Sequence, residues 1–259
     1  MKTIILAAGE GTRLRPYTLD CPKCLVELGG KPLLIHQVEI LKKSGIQDIT
    51  IVTGYCANKI KALGYKTCHN PNYQVTNMVA TLMCANELLD GNEDVLIAYG
   101  DILYEPRIVQ ELLNCNDPLC TSVDLNWLRL WKLRMQDPLI GAETMKFDAA
   151  GYIIELGRKP QSYEEIQGQY MGLIKVNADM APRLVEVYEK LNSHCLYGGH
   201  TKQNMYMTSF LQYLIDHGYP VRAVLVKGGW LEVDTVNDLY LYRTLYSEGK
   251  LNELCNIFS

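Results

Sequence analysis

The sequence predicts an α/β fold built around a mostly parallel β-sheet. Short apolar runs alternate along the chain with longer segments whose apolar residues recur at helical spacing. Several of the apolar runs end at a glycine, which is typical of buried parallel strands that lead into a loop. No internal repeat, low-complexity stretch or linker interrupts the alternation. We therefore expect a single domain over residues 1–259, with helices flanking the central sheet.

The first half of the chain carries the clearest alternation. The segment Pro32–Lys43 has a proline at its start and Gly45 just beyond its end, which are the usual bounds of a helix. The predicted strands in this half are Thr3–Ala7, Asp48–Val52 and Asp94–Tyr99, and the predicted helices are Pro32–Lys43, Ala57–Leu63 and Asn77–Leu89. This order of strands and helices is the one that produces parallel neighbours.

The second half is less regular. Gly151 separates two short apolar runs and predicts a hairpin between Met145–Phe147 and Tyr152–Leu156. The other predicted strands are Leu119–Leu125, Tyr170–Asn177, Val221–Val226 and Trp230–Val233, and the predicted helices are Pro182–Leu191, Asn204–His217 and Val236–Ser247.

Composition limits the classes of function. The 259 residues include 25 Lys and Arg against 29 Asp and Glu, a net charge of −4, which argues against a broad nucleic-acid surface. No apolar run reaches the ~20 residues needed to span a bilayer, so no membrane partner is expected. Nine cysteines in scattered positions, without a secretory signal, indicate free thiols in a cytoplasmic protein.

One cysteine pair needs separate treatment. Cys21 and Cys24 form a C-x-x-C motif, which allows a redox pair or half of a zinc site. No second pair of cysteines or histidines at ligand spacing completes a zinc site. We interpret the two cysteines as small buried side chains on either side of Lys23.

The strongest chemical signal directly follows the first predicted strand, in the run LAAGEGTRLRP and the Pro22-Lys23 dipeptide beyond it. Gly9 and Gly11 permit backbone conformations and close approaches that larger residues would block. The N–H groups of such a loop can hold phosphate oxygens, Arg13 adds a planar guanidinium, and Lys23 adds a mobile positive charge. Since ligands of open parallel sheets bind beyond the carboxyl ends of the strands, the sequence predicts a phosphate-binding loop here.

Three other interpretations of this loop compete. A dinucleotide-binding loop would carry a third glycine where Leu14 stands, and the next strand would be followed by an acidic residue. A Walker loop would need a G-K-[ST] sequence, which the chain lacks here. A glycine-rich turn without a ligand would leave Arg13 and Lys23 unexplained.

The segment LAAGEGTRLRPYTLDCPKCLVELGGKPLL resembles the signature of nucleotidyltransferases that make NDP-sugars and CDP-alcohols. Five further segments fit that family: NMV at 77–79, AYGDI at 98–102, QYMGL at 169–173, NMYMT at 204–208 and WLEVD at 230–234. The likeness is strongest to cytidylyltransferases that act on phosphocholine, 2-aminoethylphosphonate or phosphoglutamine. Within this branch, NMYMTSFLQ and VDLNWLRLW resemble the phosphoglutamine enzymes above all. The resemblance implies a Rossmann-like GT-A nucleotidyltransferase fold with a mixed, mostly parallel sheet.

The resemblance also implies a reaction. CMP would pass from CTP to a small anionic phosphate or phosphonate, with L-glutamine phosphate for capsule phosphoramidate synthesis as the acceptor that fits best, and pyrophosphate would leave. The implied nucleotide-binding residues are Leu6, Ala7, Ala8, Gly9, Gly11, Thr12, Arg13, Lys23, Gly54, Tyr55, Asn77 and Met78. Asn77 could alternatively cap a helix, because asparagine is a favoured N-cap residue.

The resemblance assigns Mg²⁺ as the cofactor and Asp101 and Asp234 as its ligands. Asp101 follows a buried strand, and Asp234 stands two residues after Glu232, so Glu232 would face the same way and is a possible third ligand. The alternative for Asp234 is a helix cap. Together with Lys23 and Arg13, which neutralise charge on the triphosphate, Asp101 and Asp234 form the predicted catalytic set.

The candidate acceptor pocket lies in the segment DLNWLRLWKLR. Trp127 and Trp131 stand four residues apart, on one face of a helix, and with Arg129 and Asp124 they are the predicted substrate-binding residues. An aromatic wall would suit a trimethylammonium group, whereas the basic residues of the segment would suit a carboxylate. Asp124 and Glu143 could pair with an amino group, so the charges leave the kind of acceptor open. A packed helix with a solvated basic face is the alternative.

Three other functions remain open at this point. A sugar-1-phosphate nucleotidyltransferase would share the loop and the metal pair. A regulatory nucleotide-binding protein is disfavoured because Lys23, Asp101 and Asp234 are all present, and a glycosyltransferase would usually carry a D-x-D motif that Gly100-Asp101-Ile102 lacks. A homodimer is possible, since dimers are the commonest assembly.

Overall fold

A computed structural model describes residues 1–258. The strands are β1 (Lys2–Ala7), β2 (Glu27–Leu28), β3 (Lys31–Pro32), β4 (Asp48–Thr53), β5 (Lys66–His69), β6 (Val95–Tyr99), β7 (Ile102–Tyr104), β8 (Leu119–Asp124), β9 (Met145–Phe147), β10 (Ile153–Leu156), β11 (Gln169–Val176), β12 (Leu196–Tyr197), β13 (His200–Thr201), β14 (Arg222–Val226) and β15 (Trp230–Glu232). The helices are α1 (Leu33–Lys43), α2 (Ala57–Lys61), α3 (Met78–Met83), α4 (Pro106–Asn114), α5 (Trp127–Arg134), α6 (Pro138–Gly141), α7 (Ala181–Lys190), α8 (Met207–Asp216) and α9 (Val236–Ser247).

The central sheet has seven strands in the order β14-β8-β11-β6-β1-β4-β5. β1 runs parallel to β4 and β6, β5 runs parallel to β4, and β14 runs parallel to β8. β11 is antiparallel to both of its neighbours, β6 and β8. The expected mixed, mostly parallel sheet is therefore confirmed.

Both faces of the sheet are covered by the core. Along β1, Ile5 and Ala7 belong to one hydrophobic cluster, whereas Ile4 and Leu6 belong to a second cluster on the opposite face. This alternation follows from the two-residue period of a strand, and burial on both faces explains why β1 is a continuous apolar run. Among the described helices, none has the length and apolar character required to cross a membrane.

A small two-stranded ribbon lies outside the central sheet and joins distant parts of the chain. β7 pairs antiparallel with β15, so that Ile102 lies opposite Glu232, and the Val233 N–H donates to the Asp101 carbonyl at 3.0 Å. This pairing brings Asp101, which follows β6, beside Asp234, which follows β15.

The predicted elements agree with the structure in type, and the differences lie at their ends. The predicted helix Asn77–Leu89 is divided: α3 ends at Met83, and a 3₁₀ turn covers Asn86–Leu88. The predicted helix Asn204–His217 begins only at Met207, after a 3₁₀ turn at Lys202–Asn204. The sequence interpretation missed α4, although its proline at the first turn is a helix-start signal, and it missed the short edge strand β5.

Candidate active site

The loop after β1 turns back on itself at Gly11. Its φ of +63° is the left-handed conformation that favours glycine, and a Cβ atom there would lie 2.9 Å from the Lys23 Cβ. The Thr18 hydroxyl donates to the Gly11 carbonyl at 2.7 Å and holds this turn in place. Glycine at position 11 therefore allows the 3₁₀ turn Lys23–Leu25 to pack closely against the loop.

Lys23 lies at the centre of a charged cluster. Its Nζ atom is 2.6 Å from Asp101 Oδ2 and 2.7 Å from Asp234 Oδ1, and Arg13 reaches Asp234 Oδ2 at 2.6 Å. Burial alone would lower the pKa of Lys23, but Asp101 and Asp234 outweigh it and raise the pKa above its usual value. Lys23 is therefore positively charged at neutral pH, and the four predicted catalytic residues lie together.

Asp234 does not cap the helix that follows it. Thr235 is the N-cap of α9, its side chain accepts from the Asp238 N–H, and Asp238 completes a capping box. The side chain of Asp234 is thereby left to the charged cluster, so the helix-cap alternative is wrong for this residue.

A cavity of about 240 Å³ opens between the loop and α3. We call it the first cavity. Ten of the twelve predicted nucleotide-binding residues line it, together with Cys24, Tyr73, Thr76, Thr81, Tyr99, Gly100, Asp101 and Asp234; the ten are Leu6, Ala7, Ala8, Gly9, Gly11, Thr12, Arg13, Lys23, Asn77 and Met78. Asn77 is also the N-cap of α3, since its side chain accepts from the Met78 N–H at 2.8 Å. Both interpretations of Asn77 thus describe its position.

Gly54 and Tyr55 do not line the first cavity. The Tyr55 N–H donates to the Ala8 carbonyl at 2.9 Å, and a Cβ atom on Gly54 would lie 2.5 Å from that same oxygen. These two residues therefore contact the backbone that directly follows β1. The prediction that they form part of the pocket wall is therefore not supported by the geometry.

A second cavity, of about 250 Å³, adjoins the first on the other side of Asp234. Arg13, Met78, Tyr99 and Asp234 line both cavities and form a shared wall. The remaining lining residues of the second cavity are Trp131, Arg134, Met135, Gly141, Glu143, Gln169, Tyr170, Met171, Gly172, Tyr206, Thr208, Trp230 and Glu232. Two ligands seated in the two cavities would therefore meet at the charged cluster.

Arg134 carries the only buried guanidinium of the second cavity among the described residues, and its charge is already paired. Its Nε atom donates to Asp238 Oδ1 at 2.9 Å, and its NH1 atom lies 2.7 Å from Glu232 Oε2. Burial opposes the charged form of Arg134, but Glu232 and Asp238 outweigh it and raise the pKa. Burial raises the pKa of Glu232, and Arg134 opposes that effect. Glu232 is thus held by Arg134.

Of the predicted substrate-binding residues, only Trp131 lines the second cavity. Its ring packs on Trp127 with centroids 5.9 Å apart at 83°, and both tryptophans are buried in the core. Asp124 is fully occupied by hydrogen bonds from Trp230 Nε1 and the Gly228 N–H. Arg129 is exposed and faces a different, smaller pocket beside the loop that contains Gly228. The structure therefore does not bring Trp127, Asp124 and Arg129 to the second cavity.

No group of three or more His, Cys, Asp or Glu side chains suited to a metal ion occurs within residues 1–258. Asp101 and Asp234 nevertheless both contact the Lys23 Nζ atom, and the buried Oδ1 atom of Asp101 has no hydrogen-bond partner. An unsatisfied carboxylate oxygen of this kind fits a cation that takes only two protein ligands, as Mg²⁺ does beside phosphates. The nine cysteines are free thiols, including Cys21 and Cys24.

The sequence interpretation missed several lining residues. Tyr73, Thr76 and Thr81 of the first cavity precede or belong to α3. Gln169 reaches the second cavity from β11, and Tyr206 and Thr208 reach it from the start of α8. Gln169, Tyr206 and Thr208 do lie inside the segments QYMGL and NMYMT that carry the family resemblance.

Comparison with known proteins identifies relatives of this chain. The profile of the MobA-like NTP transferase domain matches residues 3–126. The CTP:phosphoglutamine cytidylyltransferase of Campylobacter jejuni is 42% identical over 248 residues, covering 92% of this chain and 98% of the relative. The choline-phosphate cytidylyltransferase of Streptococcus pneumoniae is 44% identical over 93 residues, covering 34% of this chain and 41% of the relative.

Solved structures share the fold. The inositol-1-phosphate CTP transferase of T. maritima superposes with a TM-score of 0.72 at 19% identity, covering 98% of this chain and 97% of that one. The CTP:phosphocholine cytidylyltransferase of Streptococcus pneumoniae superposes with a TM-score of 0.69 at 21% identity, covering 95% of this chain and 98% of that one. The chain therefore belongs to the nucleotidyltransferase family and is an enzyme of its cytidylyltransferase class.

Proposed function

We propose that this enzyme transfers CMP from CTP to a small phosphorylated acceptor, with phosphoglutamine as the best candidate, and releases pyrophosphate. The observation that carries the proposal is the pair of adjoining cavities that share Asp234, Arg13, Met78 and Tyr99. The relative that is 42% identical over 92% of this chain is named for this reaction. In this proposal the first cavity holds CTP and the second holds the acceptor.

The reaction is an in-line displacement at phosphorus. An oxygen of the acceptor's phosphoryl group forms a bond to the α-phosphorus of CTP while the bond from that phosphorus to the bridging oxygen breaks. The electron pair leaves with pyrophosphate. Because the acceptor oxygen is already anionic, the chain needs no strong general base, and it acts through positioning and electrostatic stabilisation.

Lys23 and Arg13 supply the positive charge for this step. Both side chains line the first cavity and stand at its boundary with Asp234. Without substrate their charges are balanced by Asp101 and Asp234. When a triphosphate enters, its oxygens offer Lys23 and Arg13 a second set of anionic partners, which neutralises charge on the phosphates.

Mg²⁺ is the proposed cofactor, held by Asp101 and Asp234. When bound it would supply charge neutralisation on the triphosphate. Glu232 forms an ion pair with Arg134, so we do not assign it as a third metal ligand. Free thiols throughout the described chain support a cytoplasmic site for the reaction, where thiols stay reduced.

The test is a matrix of four nucleoside triphosphates against phosphoglutamine, phosphocholine, 2-aminoethylphosphonate and glucose-1-phosphate, with Mg²⁺ present and pyrophosphate release as the signal. We expect the highest kcat/KM for CTP with phosphoglutamine. A preference for UTP or dTTP with glucose-1-phosphate would overturn the proposal and identify a sugar-1-phosphate nucleotidyltransferase. Repetition with EDTA and then with added Mg²⁺ checks the cofactor.

A further inference from the structure

The second cavity contains one carboxylate that has no positively charged partner. Glu143 stands between α6 and β9 and lines this cavity, and its side chain receives only a long contact from the Thr208 hydroxyl at 3.4 Å. Among the described residues no lysine, arginine or histidine approaches Glu143 within ion-pair distance, since Arg134 is committed to Glu232 and Asp238. Acidic side chains therefore outnumber basic ones in the lining of this cavity, by three to two.

The backbone of Glu143 is fixed by a buried amide. The Gln169 side chain donates to the Glu143 carbonyl at 2.6 Å and accepts from the Glu143 N–H at 3.3 Å. Gln169 is itself 4% exposed. Burial without a neighbouring cation disfavours the charged form of Glu143 and raises its pKa, so a ligand that brings a positive charge would relieve this cost.

Trp131, which also lines this cavity, carries an unsatisfied donor. The indole Nε1 atom of Trp131 is buried and has no hydrogen-bond partner. Buried indole N–H groups normally find an acceptor, so the Nε1 atom of Trp131 retains an unused hydrogen-bond donor. A ligand that carries both an ammonium group and an anionic or carbonyl oxygen would satisfy Glu143 and Trp131 together.

We propose that Glu143 recognises an ammonium group of the acceptor and that Trp131 Nε1 donates to a carboxylate oxygen, so that this cavity selects amino-acid phosphates. The inference rests on the proposed function, because it assigns the acceptor to the second cavity. The sequence left open whether the basic residues of DLNWLRLWKLR or an acidic residue such as Glu143 make the selection. The structure favours Glu143, since Arg129 lies elsewhere and Arg134 is neutralised.

The experiment compares wild-type enzyme with Glu143→Gln on two acceptors: phosphoglutamine and its desamino analogue, which lacks only the ammonium group. Glutamine keeps the size of the side chain and removes its charge. We expect kcat/KM for phosphoglutamine to fall about 10- to 100-fold, the scale of one charge-assisted hydrogen bond. The value for the desamino analogue should stay the same or rise, so the preference for the ammonium group disappears.

The matched control is Glu155→Gln, on β10, which pairs with Lys146 and lines neither cavity. It should leave both values unchanged. A third acceptor is the analogue of phosphoglutamine that lacks only the carboxylate. Trp131→Phe should reduce kcat/KM for phosphoglutamine more than kcat/KM for this analogue. Thermal unfolding of each variant verifies that it is folded.

The outcomes separate the two proposals. Equal losses on both acceptors in Glu143→Gln would overturn the role of Glu143 and leave the cytidylyltransferase reaction standing. A wild-type preference for phosphoethanolamine over phosphoglutamine would overturn the assigned acceptor and the Trp131 contact. In that case the role of Glu143 would stand only if Glu143→Gln abolished the preference of the enzyme for phosphoethanolamine over ethyl phosphate, which lacks the ammonium group. A preference for neutral sugar phosphates would overturn both proposals.

Discussion

Replacement of Lys23 by methionine tests the charged cluster most directly. The substitution removes the Nζ atom that lies 2.6 Å from Asp101 and 2.7 Å from Asp234, and it leaves two carboxylates facing each other. Loss of one partner of a buried ion pair costs roughly 3–5 kcal/mol. Because the three side chains keep 13–17% of their exposure, the lower end of that range applies, and we expect a loss of about 3 kcal/mol.

That loss has a defined dependence on pH. The fold raises the pKa of Lys23, so its contribution is fully present below the unfolded-state pKa of about 10.4 and disappears only as the pH rises through the raised pKa. The difference in unfolding free energy between wild type and Lys23→Met should therefore be constant from about pH 6 to pH 9. Cytidylyl transfer should fall ~10²-fold or more, the scale of one lost electrostatic contact at a reacting phosphate.

Urea and thermal unfolding measure the loss of stability, and pyrophosphate release measures the loss of turnover. The thermal midpoint should fall by roughly 6–12 °C for a chain of this size. Lys31→Met is the matched control, because Lys31 pairs with Glu39 on the surface, where 49% and 42% of the two side chains are exposed. A loss below about 1 kcal/mol, or near-normal turnover in folded Lys23→Met, would refute the argument.

Three further predictions follow from single residues. Gly11→Ala should destabilise the fold by about 1 kcal/mol or more and reduce turnover, because φ is +63° and the new Cβ meets Lys23 at 2.9 Å; unchanged urea midpoint and turnover would contradict it. Arg134→Met should lower the free energy of unfolding by roughly 3–5 kcal/mol, since its two acidic partners are left unpaired. The control Arg183→Met, in an exposed ion pair, should lower it by under about 0.5 kcal/mol, and similar losses in the two variants would refute this prediction. Burial lowers the pKa of His36, so near pH 6.5 the unfolded chain binds a proton at this residue more readily than the folded chain does. The free energy of unfolding should therefore rise between pH 5 and 7.5. That rise should be smaller in His36→Asn, as measured by urea unfolding at both pH values.

The part of the site that is continuous in sequence could be predicted from the sequence. β1, the glycine loop and Lys23 follow one another within one segment, so residue type and order were enough to indicate a phosphate-binding loop. The second cavity could not be predicted in this way, because Trp131, Glu143, Gln169 and Thr208 come from four separate elements. Their proximity depends on packing that no local pattern records.

Two aspartates show the limit clearly. Asp101 follows β6, and Asp124 ends β8, so both stand at the carboxyl end of a buried strand. Trp230 Nε1 and the Gly228 N–H occupy the oxygens of Asp124, whereas Asp101 keeps one oxygen without a partner. Both donors come from a segment more than a hundred residues further along. A strand-end aspartate can therefore be recognised from sequence, but its availability to a ligand cannot.

The pairing of β7 with β15 also sets when the site can exist during synthesis. Asp101, Lys23 and the glycine loop are all made early, but Asp234 reaches them only through β15. A nascent chain therefore carries the glycine loop with only one aspartate of the carboxylate pair until residue 234 has left the ribosome. A fragment cut before β15 would keep the loop and lose Asp234, so the charged cluster can assemble only after β15 has paired with β7.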